Sequence, residues 1–542
     1  MSVIPQDNNS RLSRQDCLLV LGLFAAAFLA RYYFLPFYRV ISADGVGYVT
    51  AARNLLAGDF STMTVYGVVY PSLTALVSLA TGSTEIAGRL VSVFMGALLV
   101  LPLYCLGRDF FNRNVGIIAC ILVVAWPTLR SWAGEVMTQA TYITLLVTWY
   151  WLLWQAYRRN SWRWALMAGC VAGLSYLTRP EALIAFVCMV LIFFFPGSQA
   201  RPPARRFFLA TISALSFIAL LLPFVVLVHQ VTGEWQLTGK GGVTLADALS
   251  EYLGRPDLKH EPGFKTIGIF DVIRRYPDFL WPNFRKNLLE GVMISMPWYL
   301  WFSGLVGLIC GGWQREQIAR RLFLMASCAP LVFIMIFFFA GPEYVQPYLP
   351  VLFLWVGSGM QQIERRFWNI VAANKPHVLN SVKIAPVSIA IASAMTMFSL
   401  YNQIPADRNK PYHYSDDGGR YDQRRIGELL KKYLPPQSRI MTRWGRISFY
   451  AEMQNVSMPQ TGLSEMLASA RKSGARYLVI DGMLMNARPQ FQLLFAPLLT
   501  SAESVLYQPG ASEVRFEPLP GVRLILLFKD PSSLGVAVYE II

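Results

Sequence analysis

Apolar residues in this chain come in blocks of roughly 17 to 24, and a helix needs about 20 such residues to cross a hydrocarbon layer about 30 Å thick. A chain built this way has few options. In lipid every backbone N–H and C=O must be satisfied internally, which leaves helices as the way to fold such blocks. Hydrophobic residues make up 54% of the 542 and charged ones only 15%, more apolar surface than a soluble core could hide.

The hydropathy pattern predicts about eleven spans, near 17–37, 85–107, 114–128, 136–156, 162–178, 181–196, 207–230, 292–312, 320–340, 343–360 and 384–401. The third and sixth are short. Arg11 and Arg14 precede the first, and Ala25, Ala26 and Ala27 lie within it. A cleaved signal peptide is one reading of that pattern, but a length of about 21 residues favours an uncleaved anchor.

Positively charged loops are retained on the cytoplasmic side. Basic clusters fall at Arg11 and Arg14, Arg108 and Arg113, Arg158 to Arg163, Arg201 to Arg206, Arg315 to Arg321, and Arg365 to Lys383, whereas the alternate short loops carry isolated cations such as Arg130 and Arg179. The expected topology therefore has a cytoplasmic N-terminus and, after eleven crossings, an external C-terminal domain. Cytoplasmic cations facing anionic membrane lipids account for much of the +16 net charge. No soluble segment shows a basic stripe with interleaved aromatics, so nucleic acid is not an expected partner.

All seven cysteines fall in or beside predicted spans, so the external domain is expected to fold without disulfides. The four histidines show no metal-ligand spacing. Gly233 to Gly241, the one Gly-rich stretch with a lysine, lacks Ser or Thr after Lys240 and fails the phosphate-loop pattern of nucleotide hydrolases.

The expected organisation is a membrane domain, 1–401, with outer loops 38–84, 129–135 and 231–290, followed by an extracytoplasmic domain, 402–542. Chemistry is expected at the outer face. Asp44 stands just past the first span, where it reads either as a helix N-cap or as a general base. Glu135 ends the tightest outer loop, where it either compensates a helix dipole or does chemistry. Arg179 and Glu181 sit in a nearly buried turn, as a functional pair or simply as each other's counter-ion. Two carboxylates and a guanidinium at a lipid–water boundary suit a reaction in which an acceptor hydroxyl loses a proton while a phosphate departs.

The order of these motifs carries a resemblance. Asp44 with Tyr48, Ala51-Ala52-Arg53-Asn54-Leu55-Leu56-Ala57-Gly58, Tyr70-Pro71, Gly134-Glu135 and Leu177-Thr178-Arg179-Pro180-Glu181 together resemble the GT-C superfamily of glycosyltransferases. Within it they look most like the branch of protein O-mannosyltransferases and the lipid A aminoarabinose transferase. Gly341-Pro342-Glu343-Tyr344-Val345-Gln346-Pro347-Tyr348-Leu349-Pro350 is similar to a late segment of that branch, with Glu343 in place of its usual arginine.

The resemblance implies an inverting transfer of a sugar from a polyprenyl-phosphate donor to a lipid, glycan or protein hydroxyl. In that scheme Asp44 is the base, Glu135 the second acidic residue and Arg179 a phosphate ligand. Arg53 and Lys240 are further phosphate candidates, and Tyr48, Glu181, Glu343 and Tyr344 are substrate-binding candidates. No metal ligand set is expected, although a divalent cation, magnesium or manganese, assists some members of the family.

The segment 231–290 reads as a substrate loop or a passive connector. Beyond residue 402 the periodicity changes, predicting strands at 439–442, 476–480 and 523–528 and helices at 423–433 and 464–473, an α/β domain. The stretch 444–450 reads as packing or as a substrate contact, and the domain as acceptor recognition or support. The other function classes are a lipid or glycan transporter or flippase and an O-antigen polymerase or ligase. The former expects broken spans repeated in two halves, and none is visible. The expected location is the bacterial inner membrane.

Overall fold

The computed structural model describes residues 13–194, 202–239, 242–255, 258, 264, 267–310, 315–338, 341–374, 387–404, 421–459, 461–482, 484, 491, 493–496, 519–528 and 535–542. Helices dominate. In chain order they are α1 (Arg14–Phe34), α2 (Ala43–Leu56), α3 (Met63–Tyr66), α4 (Val69–Thr81), α5 (Thr84–Leu98), α6 (Val100–Phe110), α7 (Arg113–Ala125) and α8 (Pro127–Gly134). There follow α9 (Gln139–Arg159), α10 (Trp162–Thr178), α11 (Ala182–Val190), α12 (Pro203–Thr232), α13 (Val243–Tyr252), α14 (Ile269–Arg275) and α15 (Leu280–Lys286). The helical series continues with α16 (Trp298–Cys310), α17 (Arg315–Phe337), α18 (Pro342–Val345), α19 (Leu349–Asn374) and α20 (Val387–Asn402).

Contacts divide the chain into two units, one of Met1–Pro36 and Gly47–Arg408, the other of Phe37–Val46 and Asn409–Ile542. The first is the helical unit. Every predicted apolar block is helical over at least part of its length. Four described helices are long and apolar enough to cross a membrane, or six if each of two bent pairs is one span. That is fewer than the eleven expected from hydropathy, because other blocks form helices that are shorter or more polar.

Helix starts follow local chemistry. Ser13 caps α1 in a reciprocal box with Asp16, and Asp16 also takes the Tyr104 hydroxyl at 2.5 Å and pairs with Arg113 at 2.9 Å. One carboxylate thus ties the starts of α1 and α7 to the middle of α6. Asn112 caps α7 by accepting from the Val115 N–H at 3.1 Å. Between helices the seams are lined by small residues, as membrane packing favours. A Cβ on Gly107 would lie 2.7 Å from the Gly116 Cα, and one on Gly359 would lie 1.7 Å from the Ser303 carbonyl oxygen. Outside the core, Leu21, Leu79, Phe207 and Met397 are each more than 60% exposed, an apolar surface of the kind lipid covers.

α7 and α8 meet at a 56° bend, and sequence explains it. Pro127 opens α8 and has no N–H to answer the Val123 carbonyl. The Arg31 guanidinium answers instead: Nη2 donates to the Val123 oxygen at 3.2 Å, and Nη1 to those of Val124 (3.4 Å) and Ala27 (3.1 Å). Gln403, at the end of α20, donates to the Ala125 oxygen at 3.1 Å and accepts from Arg130 Nε at 2.5 Å. The Arg130 guanidinium lies 3.7 Å over the Phe34 ring. Both arginines are buried.

The second unit holds α21 (Tyr421–Tyr433), α22 (Gly445–Ala451), α23 (Leu463–Lys472), β1 (Arg439–Thr442), β2 (Gln454–Ser457), β3 (Tyr477–Asp481), β4 (Val522–Phe528) and β5 (Val536–Ile541). Its sheet runs β2-β1-β3-β5-β4, with β2, β1 and β3 parallel and β5 antiparallel to both β3 and β4. Helices cover both faces. Ile426, Leu430 and Ile447 pack with Ile440 and Val479 on one, and Met466, Leu467 and Ala470 with Met441 and Ile480 on the other. The α/β character and the three predicted strands are present; β2, β5 and α22 are additional to the sequence reading.

Candidate functional site

The helical unit gathers polar side chains where α8 ends and α9 begins. Glu135 terminates α8 in extended backbone and is 8% exposed. The turn after it is held from the side: Ser92 Oγ donates to the Met137 carbonyl oxygen at 3.2 Å, and the Tyr70 hydroxyl, 2.9 Å from Ser92 Oγ, donates to Gly88 O at 2.9 Å. Residue 88 has to be small, since a Cβ there would lie 2.8 Å from Val136 Cγ1. Tyr48 packs edge-on against Tyr66 and Tyr70, with centroids 5.5 and 5.4 Å away, and its hydroxyl is 3.4 Å from Thr138 Oγ1.

One turn into α9, Tyr142 brings this cluster to Arg179, whose guanidinium carbon lies 6.0 Å from the Tyr142 centroid and 5.6 Å from that of Tyr344. Arg179 makes a two-point pair with Glu181, Nη2 to Oε1 at 2.9 Å and Nε to Oε2 at 3.4 Å. Burial by itself would lower the Arg179 pKa; the charges of Glu181 and Glu343 outweigh it and hold the pKa well above its ordinary value. A guanidinium so placed stays charged and keeps a fixed orientation.

Of the residues singled out in the sequence, Arg179, Glu181, Glu343 and Tyr344 thus gather beside Tyr142, Tyr48 touches Thr138 just before α9, and Glu135 stands buried at the end of α8. Glu343 has a definite place: it stands where the resemblance expects an arginine, and it supplies negative charge beside Arg179. Arg53 is engaged elsewhere, with its Nε donating to Thr84 Oγ1 at 3.0 Å. Lys240 lies outside the described residues, but just before it the Gly239 N–H donates to the Thr64 carbonyl oxygen at 3.0 Å. Leu237 O accepts from the Tyr176 hydroxyl at 2.5 Å, so the start of the long loop packs on the helical unit.

Asp44 belongs to the second unit, and it is not the cap of its helix. Ser42 takes that role, its hydroxyl accepting from the Gly45 N–H at 3.0 Å. Asp44 is exposed in the first turn of α2, and among the described residues it has no hydrogen-bond or ion-pair partner. The stretch 444–450 packs within its own domain, with Trp444 Nε1 donating to Asp481 at 3.1 Å and Arg446 to Gln423 at 3.4 Å.

Tyr142, Tyr66 and Arg31 were not read as site or framework residues from sequence. Arg31 carried a usable signal, being a lone cation inside an apolar block. The tyrosines carried none, since an aromatic in a span is ordinary core. Among the described residues no three His, Cys, Asp or Glu side chains gather as metal ligands.

Comparison with known proteins agrees with this architecture. Residues 67–228 match the sequence model of the dolichyl-phosphate-mannose-protein mannosyltransferase family. No curated protein sequence matches. Among solved structures, ArnT from Cupriavidus metallidurans bound to undecaprenyl phosphate superposes with a TM-score of 0.57 at 14% identity, over 96% of this chain and 97% of that one. AglB from Archaeoglobus fulgidus, an oligosaccharyltransferase in complex with an inhibitory peptide and a dolichol-phosphate, gives 0.54 at 13% identity, over 92% and 74%. The Archaeoglobus fulgidus oligosaccharyltransferase in complex with Zn and sulfate gives 0.56 at 13% identity, over 91% and 72%. The resemblance carried by the motifs is therefore present in the three-dimensional structure: the chain has the fold of the GT-C membrane glycosyltransferases and matches the mannosyltransferase family over residues 67–228.

Proposed function

We propose that this protein is an inverting glycosyltransferase that moves a sugar from a polyprenyl-phosphate donor to an acceptor hydroxyl at the outer face of a bacterial inner membrane. The observation that carries this reading is a coincidence of two kinds of evidence. The stretch that matches the mannosyltransferase family contains Glu135, Arg179 and Glu181, and in it Glu135 is buried just before α9 while the Arg179–Glu181 ion pair packs on Tyr142, one turn into α9.

In the proposed reaction the acceptor oxygen attacks the anomeric carbon from the face opposite the phosphate. The new C–O bond forms as the bond from that carbon to the phosphate oxygen breaks, and one displacement inverts the centre. The acceptor proton passes to the Asp44 carboxylate, which is exposed and accepts nothing from a described residue, so a substrate hydroxyl has access to it. The electron pair leaves with the polyprenyl phosphate. Arg179, oriented by Glu181, stabilises the charge growing on the phosphate oxygens. Glu135 acts as a second acidic group toward donor or acceptor. The lipid phosphate is itself the leaving group, so no nucleotide is required.

The test is loss of label from undecaprenyl-phosphate-linked mannose, glucose and aminoarabinose by the purified protein in detergent with membrane extract as acceptor. Turnover of one donor that Asp44→Asn abolishes while the melting temperature holds is the expected result. Unchanged turnover in Asp44→Asn moves the base to Glu135. Failure to turn over or bind any donor overturns the reading in favour of transport.

A further inference from the structure

The residues leading into Asp44 have no secondary structure of their own. Residues 38–42 run between a short 3₁₀ turn at Leu35–Phe37 and the start of α2, so their backbone groups need partners from elsewhere. They find them in the C-terminal domain. The Ile41 N–H donates to the Tyr450 hydroxyl at 2.8 Å, and Arg424 Nη1 donates to the Arg39 carbonyl oxygen at 2.6 Å. Ile41 is buried. Gly445, at the start of α22, lies close enough to Val46 that a Cβ there would touch Val46 Cγ1 at 3.7 Å. Phe37–Val46 accordingly belongs to the same compact unit as residues 409–542.

Tyr450 is itself held. The Arg424 guanidinium lies 5.1 Å over its ring, and its Cβ packs so tightly on α21 that a methyl on Gly427 would come within 2.6 Å. Arg424 and Gly427 are three residues apart, on one face of α21. A single helix face therefore sets both contacts on the segment, and Ser42, next in the chain, caps the helix that bears Asp44.

We propose that the C-terminal domain positions the Asp44 carboxylate by gripping residues 39–41, with Tyr450 and Arg424 as positioning residues. The proposal rests on the reading of Asp44 as the base. It gives the domain a part in the rate of transfer as well as in holding an acceptor. Displacing a reacting group by about 1 Å costs on the order of 100-fold in rate, and the grip acts three to five residues from the carboxylate.

The experiment compares full-length wild type with Tyr450→Phe, Gly427→Ala and Asp44→Asn in detergent. Tyr450→Phe keeps the ring and deletes the hydroxyl; Gly427→Ala removes no polar group but would meet the Tyr450 Cβ at 2.6 Å and the Ile447 carbonyl oxygen at 2.7 Å, so α22 has to move with Tyr450. Amide hydrogen exchange is read over residues 37–46 and over the sheet, and kcat and KM are read with the labelled undecaprenyl-phosphate donors. Expected for Tyr450→Phe are faster exchange confined to 37–46, an unchanged melting temperature, kcat lower by about 10-fold and donor KM within about twofold; Gly427→Ala is expected to show the same loss of kcat together with a lower melting temperature. Unchanged exchange over 37–46, or faster exchange with wild-type kcat, overturns the proposal. Full activity of Asp44→Asn defeats the base assignment, whereas the exchange data still decide whether the domain holds the segment.

Discussion

Arg179 and Glu181 stand two residues apart in sequence, yet their side chains close a two-point ion pair, at 2.9 and 3.4 Å, around the intervening Pro180. Arg179 is the phosphate contact of the proposed reaction, and Glu181 orients it. The pair also bears on stability, because both side chains are less than a quarter exposed.

Splitting the pair separates these two contributions. Arg179→Ala leaves the Glu181 carboxylate partly buried without its fork, a loss of about 3 kcal/mol, so the melting temperature in detergent falls. Arg179→Lys keeps the charge but not the planar fork. It is expected to retain most of the stability while raising donor KM or lowering kcat by at least about tenfold. Equal losses in both variants would assign the pair to structure alone.

Arg31 predicts a different outcome. Arg31→Met retains much of the apolar stem and removes the donors that satisfy the Val123 and Val124 carbonyls at the α7–α8 bend. Leaving those groups unanswered costs about 1–3 kcal/mol. The protein should extract and fold less well and melt earlier; a variant as stable as wild type would show that the bend does not depend on this guanidinium.

Gly359→Ala tests the small-residue seam between α16 and α19. Its Cβ would meet the Ser303 carbonyl oxygen at 1.7 Å and the Gly307 nitrogen at 2.9 Å, so the helices have to separate, at about 1–3 kcal/mol. Gly304→Ala on α16 is the control, because its Cβ would meet nothing closer than 3.7 Å. Thermal denaturation of the two variants should differ clearly.

Acid should loosen the C-terminal sheet through Glu540. A hydrogen bond from Arg523, with a second from Arg476, lowers its pKa below the ordinary 4.5. A carboxyl depressed in the folded state stabilises fully above the unfolded value and loses that contribution as pH falls through the folded one. Amide exchange in β4 and β5 should therefore be faster in Glu540→Gln than in wild type at pH 7, and the gap should close as the pH falls below the ordinary 4.5 and through the lowered folded-state value.

Several features were legible because they depend on local chemistry. The strand at 439–442 appears with the expected bounds, and the helices at 423–433 and 464–473 within two residues of theirs. Glu135, Arg179 and Glu181 could be flagged because charge is costly beside apolar blocks. β5 carries no comparable local signal: its Val-Ala-Val-Tyr run is short and its pairing partners lie at 477–481 and 522–528. The Ser42 cap is masked in the sequence by Asp44, an equally good capping residue type two positions later.

The sequence by itself determined that this chain folds as apolar helices with an α/β domain after them, since block length, periodicity and basic clusters are written residue by residue. Its ordered motifs also pointed to the GT-C fold. Tertiary structure alone decided which distant side chains meet: Tyr142 and Tyr344 around Arg179, Arg31 and Gln403 at the carbonyls of one bend, and Tyr450 at the Ile41 N–H. These contacts join residues up to 409 positions apart. Unlike the apolar period of a helix, their partners are chosen by how whole elements pack and by the need to satisfy every buried polar group, which no local stretch of sequence specifies.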